Sequence, residues 1–268
     1  MTSTHTYRLG IDIGSTTAKI VLLNPDGSTA FSAYRRHNAE PLGTLQVILR
    51  EAADTLGNVP AALLVTGSAG LGVAEKYNLP FIQEVVASAE VIHQRCPQVK
   101  TLIDIGGEDA KIIFFDSQNR SDMRMNGSCA GGTGAFIDEM ATLLGVSVSE
   151  LDSLASRHTT LYPMASRCGV FAKTDLQNLL SRQVPKEDIA ASVFHAVVLQ
   201  VLATLARGRD VKAPVLFSGG PFTFQPSLRS AFLRVLKLDE SGVTKTDAPE
   251  LLPALGAALA QTDRKSVV

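Results

Sequence analysis

The sequence predicts an α/β protein of two lobes built on one plan, each a mixed sheet flanked by helices. Two apolar runs end in the same D-I-G start, D-I-G-S-T-T at Asp12 to Thr17 and D-I-G-G-E-D at Asp104 to Asp109, and a second β-rich run follows each of them. Strand-like runs alternate with stretches of helical apolar spacing along the rest of the chain. The 268 residues suffice for two lobes of about 100–150 residues each. The boundary is expected near residue 100: residues 1–100 carry the first turn, and residues 101–268 the second, with room for the C-terminal helix to pack back on the first lobe.

In chain order, Y-R-L-G-I-D-I from Tyr7, A-K-I-V-L-L from Ala18 and Thr29 to Tyr34 read as an antiparallel meander, with N-P-D-G as its second turn. Pro41 to Leu56 spaces Leu42, Leu45, Ile48, Leu49, Ala52, Ala53 and Leu56 as one helical face. Leu63 to Thr66 is a short strand ending in the glycine-rich G-S-A-G-L-G, and Val85 to Gln94 is a helix. Thr101 to Ile105 and Lys111 to Phe115 are strands around the second turn. Helices are predicted over Ala135 to Leu144, Ser149 to Ser156 and Val170 to Leu180. A longer one starts at Pro185 and runs to about Leu205, with Glu187 and Asp188 at the positive end of its dipole. Pro214 to Phe217 is a buried strand entering S-G-G-P. Helices from Ser227 to Leu236 and from Pro253 to Ala260 close the chain.

With 45% hydrophobic and 19% charged residues and a net charge of -1, the composition is that of an ordinary soluble globular protein. There is no basic field to attract nucleic acid, so any phosphate must be held by local backbone geometry. Neither a signal peptide nor a membrane span is apparent, and a cytoplasmic location is expected. Cys96, Cys129 and Cys168 are too few and too scattered for a disulfide framework.

A phosphate cradle needs inward-pointing N–H groups with no bulky side chain in front of them, and Gly14, Ser15, Thr16 and Thr17 suit that role. Asp12 and Asp104, each at a strand end, would hold hydrated Mg²⁺ against the phosphates, with Lys19 or Lys111 adding charge; turn capping is the competing role for an aspartate so placed. Neither G-x-x-x-x-G-K-[ST] nor G-x-G-x-x-G after a strand occurs, so the nucleotide architecture is of another kind. Cys129, in N-G-S-C-A-G-G-T-G (Asn126 to Gly134), and Cys168, in S-R-C-G-V-F, each precede a predicted helix, where the dipole favours a thiolate. Two small buried cysteines would fit the residues equally well. An iron–sulfur cluster needs four thiolates, which a symmetric dimer would supply. Cys96 reads as structural, and His158 and His195 as ordinary core or surface histidines.

The two D-I-G turns and the late S-G-G-P resemble the phosphate-one, phosphate-two and adenosine segments of the actin, sugar-kinase and heat-shock-chaperone ATPase superfamily. The fold thus implied is a two-lobed actin-like one, with duplicated ribonuclease-H-like lobes closing over ATP·Mg. In it Gly219, Gly220 and Pro221 lie against the adenosine, and Gly106, Gly107, Gly131, Gly132 and Thr133 approach the nucleotide from the second lobe. More specifically, L-G-I-D-I-G-S-T-T-A-K, D-I-G-G-E-D-A-K, M-N-G-S-C-A-G-G-T-G-A-F, S-R-C-G-V-F-A-K-T-D and P-A-L-G-A-A-L resemble the activator ATPases of 2-hydroxyacyl-CoA dehydratases and benzoyl-CoA reductases, over nearly the whole chain.

That resemblance implies a homodimer with one [4Fe-4S] cluster held by Cys129 and Cys168 of each subunit. It implies ATP hydrolysis coupled to one-electron transfer to a CoA-ester dehydratase or reductase, with a ferredoxin or flavodoxin as donor. Asp12, Asp104 and Glu108 become the expected catalytic carboxylates. Dehydratase activators usually carry glutamine where this chain has Glu108, and in this D-I-G-G-E-D-A-K looks more like the long, multi-domain activases, of which the chain would be an N-terminal module. Two other functions share the fold: a small-molecule kinase, and a non-redox actin-like regulatory module whose cysteines only pack.

Overall fold

A computed structural model of the chain describes residues 6–116, 118, 120–126, 131–166 and 168–261. It divides into two units, Met1–Pro97 with Leu251–Val268, and Gln98–Glu250.

In the first unit β1 (Tyr7–Ile13), β2 (Thr17–Leu23) and β3 (Thr29–Arg36) form the expected antiparallel meander, and β4 (Ala61–Thr66) joins β1 in parallel, giving the order β3-β2-β1-β4. Helix α1 (Pro41–Leu56) turns Leu45, Ile48 and Ala52 onto the sheet, where they join Ile11, Ile13, Ile20 and Val65 in one core. Where only a glycine-rich turn was expected, Gly70–Tyr77 forms a helix, α2, ended by left-handed Asn78. Its V-A-E-K-Y half carries helix formers that outweigh the two glycines at its start. Helix α3 (Glu84–Arg95) follows.

The last helix, α10 (Leu252–Leu259), packs against β1 and α3 of this same unit. Its small residues permit backbone-to-backbone approach. A Cβ at Gly256 would lie 1.8 Å from the Ala87 carbonyl oxygen, and one at Gly10 would lie 1.9 Å from that of Ala254.

The second unit repeats the meander with β5 (Thr101–Ile105), β6 (Ala110–Phe115) and β7 (Ser121–Asn126); β8 (Val215–Ser218) runs parallel to β5, and the two-residue β9 (Val243–Thr244) lies beyond it. The order is β7-β6-β5-β8-β9, which is the first sheet plus one strand. Neither β7 nor β9 was legible in the sequence: S-D-M-R-M-N is largely exposed, and β9 is too short to show a period.

Helices α4 (Gly134–Leu144), α5 (Val148–Ala155), α6 (Gly169–Ser181), α7 (Lys186–Val201), α8 (Gly220–Phe224) and α9 (Pro226–Leu236) complete this unit. Pro185 is the residue just before α7 rather than part of its first turn, and a π-helical turn, Leu202–Ala206, extends the helix. Lys186–Ala206 is long and apolar enough to cross a membrane, with a mean hydropathy of 2.0, but 72% of its apolar window is buried within the protein. It is a core helix, packed on α5 and α9. Phe217, Phe222 and Phe232 form an aromatic nucleus behind β8, with ring centroids 4.8 to 5.8 Å apart.

Candidate functional site: a duplicated aspartate–glycine turn

The two D-I-G segments are one structural device built twice. Each joins the first and second strands of its sheet, and each closes with the same hydrogen bond, from Gly14 N–H to Thr17 O and from Gly106 N–H to Asp109 O, both at 2.9 Å. Antiparallel register then sets Asp12 opposite Lys19 and Asp104 opposite Lys111. The amides at the tips, those of Ser15 and Thr16 in one turn and of Gly107 and Glu108 in the other, donate to no acceptor among the described residues. Adjacent unengaged N–H groups in a tight turn are a donor set of the kind that can cradle an anion.

The parallel neighbour also repeats. Asp12 pairs in register with Thr66 of β4, and Asp104 with Ser218 of β8; each hydroxyl residue is followed by a glycine at positive φ, Gly67 at 96° and Gly219 at 100°. A side chain at either glycine would collide with the strand just before the turn. A Cβ would stand 2.4 Å from the Ile13 carbonyl oxygen in the first unit and 2.1 Å from that of Ile105 in the second. Glycine is required at both positions by conformation and by space.

Asp12 is fully buried, and its Oδ2 accepts from Lys19 Nζ at 2.7 Å. Burial by itself depresses the Lys19 ammonium, but the charge and hydrogen bond of Asp12 outweigh it and hold the pKa above the ordinary lysine value. The other oxygen, Oδ1, has no partner among the described residues, nor has the neighbouring buried Thr66 Oγ1. An orphaned buried carboxylate oxygen costs free energy unless a donor or cation reaches it. Water in the shell of Mg²⁺ would satisfy it, so Asp12 fits hydrated magnesium. Among the described residues no group of three or more His, Cys, Asp or Glu side chains could hold a metal ion alone.

In the second turn Lys111 Nζ lies 2.7 Å from Asp109 and 3.7 Å from Asp104, so one buried lysine serves two acids. Glu108 is exposed and forms no hydrogen bond or ion pair among the described residues. Helix α4 starts directly on this turn: Gly134 N–H donates to Gly106 O at 2.9 Å and Ala135 N–H to Gly107 O at 2.7 Å. Gly134 also lets Pro221 approach, since its Cβ would be 3.3 Å from the Pro221 ring. Gly106, Gly107, Thr133 and Pro221 therefore converge, with Gly131, Gly132 and Thr133 buried immediately ahead of α4. Gly219 and Gly220 are buried at the end of β8, and Gly220 and Pro221 open α8.

Cys168 is the residue before α6, extended and partly exposed, and it lines a shallow concavity with Gly131, Gly132, Phe136 and Gln200. Cys129 lies outside the described residues. Cys96 is buried, and burial pushes its thiol up, which fits a structural role.

Sequence reasoning passed over Asp109, Thr66, Gly67 and Ser218. For the latter three a signal existed: T-G after a short apolar strand at Thr66 matches S-G at Ser218, an echo of the duplicated D-I-G.

The 2-hydroxyisocaproyl-CoA dehydratase activator of Clostridioides difficile is 30% identical to this chain over 257 residues, covering 94% of each. The crystal structure of Acidaminococcus fermentans (R)-2-hydroxyglutaryl-CoA dehydratase component A superposes with a TM-score of 0.84 at 29% identity, over 95% of this chain and 97% of that one. The Clostridium difficile activator with bound ADPNP superposes with a TM-score of 0.82 at 29% identity, over 98% of this chain and 100% of that one. Residues 9–260 match the model of the BadF/BadG/BcrA/BcrD ATPase family. With both sheets, both aspartate–glycine turns and this match along almost its whole length, the chain belongs to the BadF/BadG/BcrA/BcrD ATPase family.

Proposed function

We infer that the chain is an ATP-hydrolysing activator that delivers a low-potential electron to a 2-hydroxyacyl-CoA dehydratase or a related CoA-ester reductase. The unengaged amides of Ser15, Thr16, Gly107 and Glu108 bind phosphate oxygens of ATP, Lys19 adds positive charge, and Asp12 and Asp104 orient magnesium-bound water. Gly219, Gly220 and Pro221 face the adenosine, and Glu108 influences the position of water or cation. Cys129 and Cys168 from each of two copies would hold a [4Fe-4S] cluster, which when bound supplies one-electron chemistry at low potential. A ferredoxin or flavodoxin is the donor this chemistry calls for.

One observation carries the coupling of nucleotide to cysteine. The first amides of α4 are hydrogen-bonded to Gly106 and Gly107 of the turn, and Cys129 lies only five residues ahead of Gly134. A change in the phosphates held by that turn is thereby passed to the segment carrying a cluster ligand.

Anaerobic purification followed by iron and sulfide analysis tests the reading, with about four iron per dimer expected. Chelator access to that iron should differ between ADP and ATP states. Colourless protein after careful reconstitution sinks the activator reading, and iron whose access ignores the nucleotide sinks the coupling.

A further inference from the structure

We propose that His37 is a positioning residue for the first phosphate turn, bracing the carbonyl of Gly14 so that the neighbouring amides stay aimed at phosphate; this rests on the ATP-site reading above. His37 follows β3 and is 7% exposed. Its Nε2 lies 3.1 Å from Gly14 O, and its own N–H donates to Thr16 O at 3.1 Å. A carbonyl oxygen only accepts, so Nε2 carries the proton and donates. Nδ1 is buried with no partner among the described residues, so the ring is committed to that one bond at the expense of its other nitrogen.

The backbone holding the ring is also constrained. Asn38 and Ala39 follow at φ 45° and 66°, and Glu40 N–H closes the reversal on His37 O at 2.7 Å. Alanine is rare in the left-handed region, and such outliers persist only where surrounding structure fixes them.

The duplication supplies the independent argument. Gly14 and Gly106 occupy the same place in the two turns, and each carbonyl is capped: Gly106 O by the backbone N–H of Gly134, Gly14 O by the His37 imidazole. In the first unit a side chain takes the place of a helix start. The carbonyl of Gly14 and the N–H of Ser15 belong to one peptide unit, so the His37 bond to Gly14 O holds that peptide against flipping and keeps the Ser15 amide available as a donor, while the bonds to Thr16 O and Thr17 O fix the turn on its other side.

The test uses the full chain. Gln can place a side-chain N–H where His Nε2–H stands, whereas Asn and Ala cannot reach. His37→Ala and His37→Asn should raise the KM for ATP and the dissociation constant for ADP about tenfold, with kcat changed much less, and His37→Gln should restore most of the affinity. Thermal unfolding of each variant separates this from loss of fold. Unchanged nucleotide affinity in a folded His37→Ala protein overturns the proposal, as does a His37→Gln variant no better than His37→Asn. If instead the unaltered protein neither binds nor hydrolyses ATP, the ATP-site reading itself fails.

Discussion

The two aspartate–glycine turns share a backbone and differ in their charges. In the first, one lysine faces one carboxylate, Lys19 to Asp12 at 2.7 Å. In the second, Lys111 sits 2.7 Å from Asp109 and 3.7 Å from Asp104, and an exposed Glu108 adds a further acid at the tip. Both turns carry an aspartate at the strand end, a lysine in register and a glycine beside the neighbouring strand, and of these the backbone geometry itself demands the glycine. What varies is what the chemistry can use. The first turn offers hydroxyls and an unshared carboxylate oxygen, and the second offers acids and a rigid link to α4.

The largest test breaks the shared geometry. Gly67→Ala and Gly219→Ala should each cost about 3 kcal/mol or more, because each adds a side chain at positive φ within 2.4 Å or 2.1 Å of a carbonyl oxygen. Urea unfolding checks this, and a large difference between the two would mean that the glycines are not equivalent.

Next comes the difference in charge. Asp12→Asn leaves Lys19, 13% exposed, without the carboxylate at 2.7 Å and with only the weaker charge of Glu84 to offset its burial, and should cost about 3 kcal/mol. Asp104→Asn leaves Lys111 its closer partner Asp109 and should cost about 1 kcal/mol. Both should lower ATP hydrolysis by about a hundredfold or more if each carboxylate orients magnesium-bound water. Equal losses of stability would refute the shared-lysine account.

Glu108→Gln, at an exposed tip, should leave stability within about 0.5 kcal/mol and shift the magnesium dependence of hydrolysis by less than about tenfold. The smallest effect concerns pH. Because the Lys19 pKa is raised above its ordinary 10.5, the pair's stabilisation is fully present below that value and is lost only as pH rises further. Unfolding midpoints of the native chain and Asp12→Asn should therefore stay a constant distance apart from pH 7 to 9.

Much of the site was legible because its demands are local. A phosphate turn needs small residues next to one another, and a strand shows its period in a few positions, so D-I-G-S-T-T and D-I-G-G-E-D stood out with Asp12 and Asp104. Helix α2 is hidden in the sequence because the glycines at its start mask the helix-forming half that follows. Strands β7 and β9 were missed because one is polar and exposed and the other is two residues long. His37 gave no signal at all: a histidine after a strand is ordinary until the chain brings it against a carbonyl 23 residues away.

By itself, then, the sequence determined the apolar strands and the two turns, each set by residues adjacent in the chain. Only the tertiary structure decided which carbonyl His37 and Gly134 would cap, that Lys111 is shared where Lys19 is not, and that Gly67 and Gly219 are counterparts. Those outcomes depend on strand register and on parallel pairing between segments about 50 to 115 residues apart, and pairings at such distance are chosen by the packing of the whole sheet rather than by any local preference.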